Sequence, residues 1–288
     1  MINYNPKNWL NFIFSFHKSD TVRMMWKELV YISLLSVIIA YVEITFFPEA
    51  SFLKNLTTVY SLLGFVISLL LVFRTNTAYD RWWEGRKAWG SIVNDTRSLS
   101  SKLSAASLTV EEKHSFTRLI PLFVVATKQH LRNQDLKHEA SVVLYFDDLD
   151  LSGHQPLRII QLLRVEIENL LHKEIIHKES WLALNRDLDS LINSLGVCER
   201  IKNTPIPFSY SLFIKKFIFI YVVTMPLAFV PLFGYLSAFI STFVFYALVS
   251  MELLAEEIED PFGSDQNDLP TDQLCLTIQN NCQQIFGA

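Results

Sequence analysis

Four groups of residues have types and spacings that could do chemistry. Asp148, Asp150, Ser152 and Gly153 match the D-x-D-x-S-G opening of a calcium loop, where alternate oxygens converge on a hard cation. The twelfth position of such a loop, which needs a bidentate glutamate, is Ile159. The segment is therefore predicted to be a capped turn before a helix and not a metal site. His172 and His177 are five apart, off the spacing that puts two imidazoles on one helical face, and are predicted to be solvated. Glu43 could be a proton or ion ligand inside a membrane, but it lies five residues before Pro48, which predicts an interfacial position. Glu252, Glu256, Glu257, Glu259 and Asp260 form an acidic cluster that could draw cations toward a pore mouth or could be a solvated helix face.

The motifs of the large enzyme classes are missing. Among eight glycines there is no GxSxG, GxGxxG or Walker loop, so hydrolase, dinucleotide and ATPase chemistry lack their sequence support. Cys198, Cys275 and Cys282 form no CxxC pair and are odd in number, which suggests reduced structural thiols. A net charge of −4 without a long basic run gives no footprint for nucleic acid. The sequence thus predicts no enzyme, no cofactor and no bound metal.

The elements that would position any site are apolar to an unusual degree. Half of the 288 residues are hydrophobic, 22 of them phenylalanine, too many for an ordinary soluble chain of this length. A helix needs about 20 apolar residues to cross the hydrocarbon. Leu29 to Phe47 and Leu56 to Phe73 qualify, and the uncharged run Phe217 to Met251, interrupted by Pro226, Pro231 and Gly234, is long enough for two spans with a very short connection. Lys7, Lys18, Arg23 and Lys27 precede the first span, Arg74, Arg81, Arg86 and Lys87 follow the second, and Arg200, Lys202, Lys215 and Lys216 precede the third. By the positive-inside rule both termini and the long middle face the cytoplasm. The first 20 residues do not read as a cleavable signal.

The predicted organisation is a cytosolic N-terminal segment (1–27), transmembrane segments 1 and 2 (28–73), a cytosolic helical region (74–213), transmembrane segments 3 and 4 (214–251) and a cytosolic C-terminal segment (252–288). In the middle region Trp82, Arg86, Trp89 and Val93 share one helical face. From Leu157 the series Ile160, Leu163, Ile167, Leu170 and Leu171 keeps helical spacing up to Ile175. Breaks are predicted at 105–109, 133–139 and 147–156, where polar residues, Gly153 and Pro156 gather. Nothing alternates as a strand would, so the chain reads as an all-α membrane protein with four transmembrane segments and a cytosolic helical region.

Within the second span Phe65, Leu69 and Phe73 recur every four residues and lie on one slowly drifting stripe. Ser61, Gly64 and Ser68 are small residues where another helix could approach closely. No proline or turn separates this span from Arg81-Trp82-Trp83-Glu84, which is followed by Ala88-Trp89-Gly90. Together with "CERIKNTPIPFSY" at 198–210 and "DPFGSDQNDLP" at 260–270, this block resembles the bestrophin family of pentameric ion channels and its bacterial relatives. The resemblance brackets nearly the whole chain.

The resemblance implies a homopentamer around a central pore, with the second span lining it and the middle helices forming a vestibule. Its partners would be its own copies, the lipid bilayer and small monovalent ions. Counted back from the Arg81-Trp82 block, Phe65, Leu69 and Phe73 fall at the family's three hydrophobic neck positions, and spacing from Cys198 puts a second, cytosolic constriction at Leu182. Such a neck can gate by dewetting, because apolar rings offer an ion no replacement for its hydration shell. The expected function is a passive channel in the inner (plasma) membrane, conducting chloride by family resemblance, with cation selectivity as in some bacterial relatives left open. A membrane-anchored sensor or enzyme and a secondary transporter are the alternatives; the spans show no clear inverted repeat or mid-membrane polar site for the last. After Pro261-Phe262-Gly263 only Asp265 and Asp268 are acidic, where animal members carry an unbroken acidic run, so calcium activation is not expected.

Overall fold

The computed structural model describes residues 21–47, 56–136 and 153–287. The described residues are helical, with no strand among them: α1 (Thr21–Met24), α2 (Trp26–Phe46), α3 (Leu56–Ser104), α4 (Val110–Leu131), α5 (Gln155–His172), α6 (Lys178–Asn203), α7 (Phe208–Thr224), α8 (Pro226–Phe233), α9 (Leu236–Glu259) and α10 (Thr271–Phe286). Asp148, Asp150 and Ser152 of the calcium-like loop lie outside the described residues.

Two compact units divide the chain, one formed by residues 2–80 and 205–259, the other by residues 81–204 and 260–288. The first contains the greater part of four segments long and apolar enough to cross a membrane: Trp26–Phe46, the apolar part of Leu56–Ser104, Phe208–Phe233 and Leu236–Glu259. Its core joins Ile32 of α2, Tyr60, Ile67 and Leu71 of α3, Ile214, Ile218, Tyr221 and Val222 of α7, and Phe245 of α9. Met225 and Pro226 end α7 and start α8, and Gly234 turns the chain into α9 at φ 54°, a left-handed conformation that favours glycine. The interruption predicted between the last two spans is therefore a proline-led helix break followed by a glycine turn.

In the second unit, residues 81–104 of α3 pack with α4, α5, α6 and α10 around Trp89, Phe116, Phe123, Leu163, Leu188 and Ile278. Local signals agree with the helix ends. Thr109 and Glu112 form a capping box at the start of α4, each satisfying an otherwise orphaned backbone N–H. Gly287 closes α10 in the left-handed region at φ 69°. The helix pattern that the sequence carries through to Ile175 stops earlier: α5 ends at His172, Glu174 takes φ 56°, and His177 is the residue before α6. Leu157, placed on the apolar series by spacing, is exposed, while Ile160, Leu163, Ile167 and Leu170 are buried.

α3 is the longest element among the described residues. It runs as one helix of 49 residues and has no proline to interrupt it. Arg74, which the sequence places at a membrane boundary, is an interior residue of it.

Candidate functional site

On the 56–80 part of α3, the buried residues are Tyr60, Ile67, Leu71, Arg74 and Ala78. At about 100° per residue these fall within roughly 40° of one direction. Phe65, Leu69 and Phe73 fall about 140–220° away, at the middle of the opposite face. They are 67%, 44% and 56% exposed. All three are spread over about 12 Å of helix rise. The same face continues through Asn76 and Asp80, both exposed, so the stripe turns from apolar to polar one turn past Phe73.

The buried face is tightly fitted. A Cβ on Gly64 would lie 2.7 Å from the hydroxyl of Tyr221, and that hydroxyl donates to the Tyr60 carbonyl at 3.3 Å. Gly64 is thus a close-approach residue within one chain. Ser68 turns its hydroxyl back onto the Gly64 carbonyl at 2.8 Å.

Leu182 occupies the equivalent situation on α6. The buried face there is Leu184, Leu188, Leu191, Leu195 and Cys198, and Leu182 lies about 160° from it by helix rotation, 55% exposed.

The charged residues near the predicted boundary are not free. Arg74, which follows the second span in sequence, is 1% exposed and donates to Glu259 Oε2 at 2.6 Å. Glu259 also accepts the Ile206 N–H at 2.6 Å. Lys215 donates to Glu256 at 2.8 Å and lies 3.8 Å from the buried Glu252; Asp260 pairs with Lys202 at 2.6 Å. Much of the acidic cluster at 252–260 is thereby committed to ion pairs within each unit, which corrects the picture of a free acidic face. Glu43 is also covered by protein, at 6% exposure on the α2 face carrying Ile32, Ser36 and Ala40.

The three sequence blocks that bracket the chain meet in one place. Arg81 donates to the Thr204 carbonyl at 2.6 Å and to that of Ile201, supplying partners for the open carbonyls at the end of α6. Glu84 accepts from Arg200. The Trp82 indole N–H donates to the Asn267 carbonyl at 3.0 Å, and a Cβ on Gly85 would lie 3.1 Å from Pro261 and Phe262. Trp83, by contrast, is half exposed. Arg81, Trp82 and Glu84 therefore tie α3 to the end of α6 and to the 260–270 turn. Cys198 is buried in this region, and desolvation, helped by Glu199 and Glu84, pushes its thiol up to about 12, so it stays a thiol.

One constellation escapes the sequence altogether. His130, His154 and Glu199 bring one ligand atom each to within 4.8 Å of one another.

The family described as Bacterial/Fungal Bestrophin protein matches residues 1–284. The chain belongs to the bestrophin family. Among its relatives, a voltage-dependent anion channel-forming protein of Synechocystis sp. is 37% identical over 77% of this chain and 75% of its own length. The voltage-dependent anion channel-forming protein YneE of Escherichia coli (strain K12) is 31% identical over 99% of this chain and 94% of its own. The crystal structure of a bacterial bestrophin homolog from Klebsiella pneumoniae superposes with a TM-score of 0.83 at 29% identity, covering 91% of this chain and 98% of that one. This bestrophin is accordingly a membrane protein, helical with no strand among its described residues.

Proposed function

We propose that this bestrophin is the subunit of a homopentameric, passive channel for small monovalent ions in the inner membrane, selective for anions. The observation that carries this reading is the face of α3 opposite its buried side, where Phe65, Leu69 and Phe73 stand exposed in a row. Five such faces around an axis form three stacked apolar rings, a neck that dewets when narrow and wets on a small widening. Leu182, also exposed opposite a buried face, forms the second constriction. Residues 28–73 and 214–251 lie in the membrane, and 1–27, 74–213 and 252–288 are cytoplasmic. Anion selectivity follows the names of the Synechocystis and Escherichia coli relatives and the weakly positive edges of phenylalanine rings.

Asp80 is the observation that favours cations, since it lies exposed on the continuation of the neck stripe and a ring of carboxylates at a pore mouth attracts them. The test is the reversal potential of purified protein in planar bilayers under a salt gradient. Wild type is expected to reverse near the chloride potential, and Asp80→Asn to move further toward it; reversal near the cation potential would invert the sign of the proposal. Leu69→Ala is expected to raise conductance or open probability. An unchanged current from a well-folded pentamer would remove the gate from Leu69.

A further inference from the structure

We propose that His130, His154 and Glu199 form a binding site for a divalent transition metal, zinc in the first place. The three residues come from three helices of one compact unit. His130 is in the last turn of α4, His154 is the residue that caps α5, and Glu199 is in the last two turns of α6. Both imidazole Nε2 atoms meet the same carboxylate oxygen: Glu199 Oε1 lies 2.9 Å from His130 Nε2 and 2.6 Å from His154 Nε2. The rings are 4.4 Å apart, centroid to centroid. Two imidazoles and a carboxylate are a zinc donor set that leaves a fourth position for water. Magnesium and calcium prefer cages of oxygen.

The dimensions suit the ion. Tetrahedral zinc holds N and O ligands at about 2.0–2.1 Å, which separates neighbouring ligand atoms by about 3.3 Å. The present N–O contacts of 2.9 and 2.6 Å would open by about 0.4 and 0.7 Å to admit it. The three side chains are 27–35% exposed, so the ion has an entry path and water can complete the shell. Cys198, next to Glu199, is buried in the core and does not compete.

Binding has a local structural consequence. His154 Nδ1 accepts the Leu157 backbone N–H at 3.3 Å, which leaves its ring proton on Nε2, facing Glu199. Coordination through Nε2 requires that proton to reside on Nδ1 and releases the capping bond of α5. The metal replaces a cap with a brace across α4, α5 and α6.

The test uses untagged full-length protein in detergent, stripped with EDTA and titrated with zinc chloride by calorimetry, without any current measurement. Its outcome is therefore separate from that of the channel proposal. One saturable zinc per chain is expected, with His130→Ala and Glu199→Gln each weakening it at least about tenfold and the exposed His114→Ala leaving it unchanged. Because a variant can misfold, the zinc X-ray absorption edge of the wild type supplies an independent reading: an all-N/O shell with two imidazoles is expected. No saturable zinc, a shell containing sulfur, or affinity equal in a folded His130→Ala/His154→Ala double variant would each overturn the site.

Discussion

The two parts of α3 obey different rules although they are one helix. Along residues 81–104 exposure follows polarity more closely: Trp89, Ile92, Leu99 and Leu103 are buried and the opposite face carries Lys87 and Arg97, although Trp83 is exposed and Thr96 and Ser100 are buried. Along residues 56–80 it does not, since Ile67 and Leu71 are buried while Leu62, Phe65 and Phe73 are equally apolar and exposed. On the proposed topology, with residues 56–73 in the membrane and 81–104 in the cytoplasm, the difference follows from the surroundings. In water an apolar side chain lowers the free energy by being covered, whereas in lipid burial in protein brings no such gain, so small residues and packing decide which face turns inward. Periodicity therefore locates the core in one part of the helix and says little in the other.

Substitutions can sharpen this contrast. The largest effect is expected for Trp89→Ala, which empties a fully buried site and should cost about 3–5 kcal/mol, read as a lower unfolding midpoint in detergent. Phe65→Ala, on the exposed face of the same helix, should leave that midpoint nearly unchanged and alter the current. Equal destabilisation by both would erase the distinction between the two parts. Next comes Gly64→Ala, whose new methyl would sit 2.7 Å from the Tyr221 hydroxyl; the overpacking should cost about 1–3 kcal/mol. Tyr221→Phe removes the clashing oxygen, so the double variant should recover much of the loss, and recovery failing would show that small-residue packing does not set this face.

The smallest effect concerns charge in the unit of residues 81–204 and 260–288. Hydrogen bonds from Arg132, and then Lys128, hold the Asp272 carboxyl at about 2, below its usual 3.8. A depressed carboxyl contributes stability above 3.8 and loses it as pH falls toward about 2. Its side chain is largely exposed, so solvent screening keeps the contribution under about 1 kcal/mol. Asp272→Asn should lower the melting midpoint at neutral pH, with the gap to wild type closing between pH 4 and about 2; a gap that widens in acid would contradict the assignment.

What could be read without coordinates depended on how local the cause was. The four apolar segments, the proline break at Met225–Pro226 and the break at 105–109 rest on neighbouring residues, and each is legible. The stop at His172 is not, because no glycine or proline announces it and Glu174 supplies the left-handed turn. The burial of Arg74 and Glu43 is not legible for a related reason. A charge near the end of an apolar run reads as solvated, and the partner that makes the buried arginine tolerable, Glu259, lies 185 positions away.

By itself the sequence determined the helical class, the apolar segments and, through the blocks at 81–84, 198–210 and 260–270, the bestrophin resemblance, because composition, spacing and motif are properties of short stretches of chain. Only the tertiary structure decided which side of α3 is covered, where the charges of the 252–260 cluster are spent, and that two histidines 69 and 45 residues from Glu199 meet on its carboxylate. These depend on contacts between distant segments, and no periodicity along the chain records them.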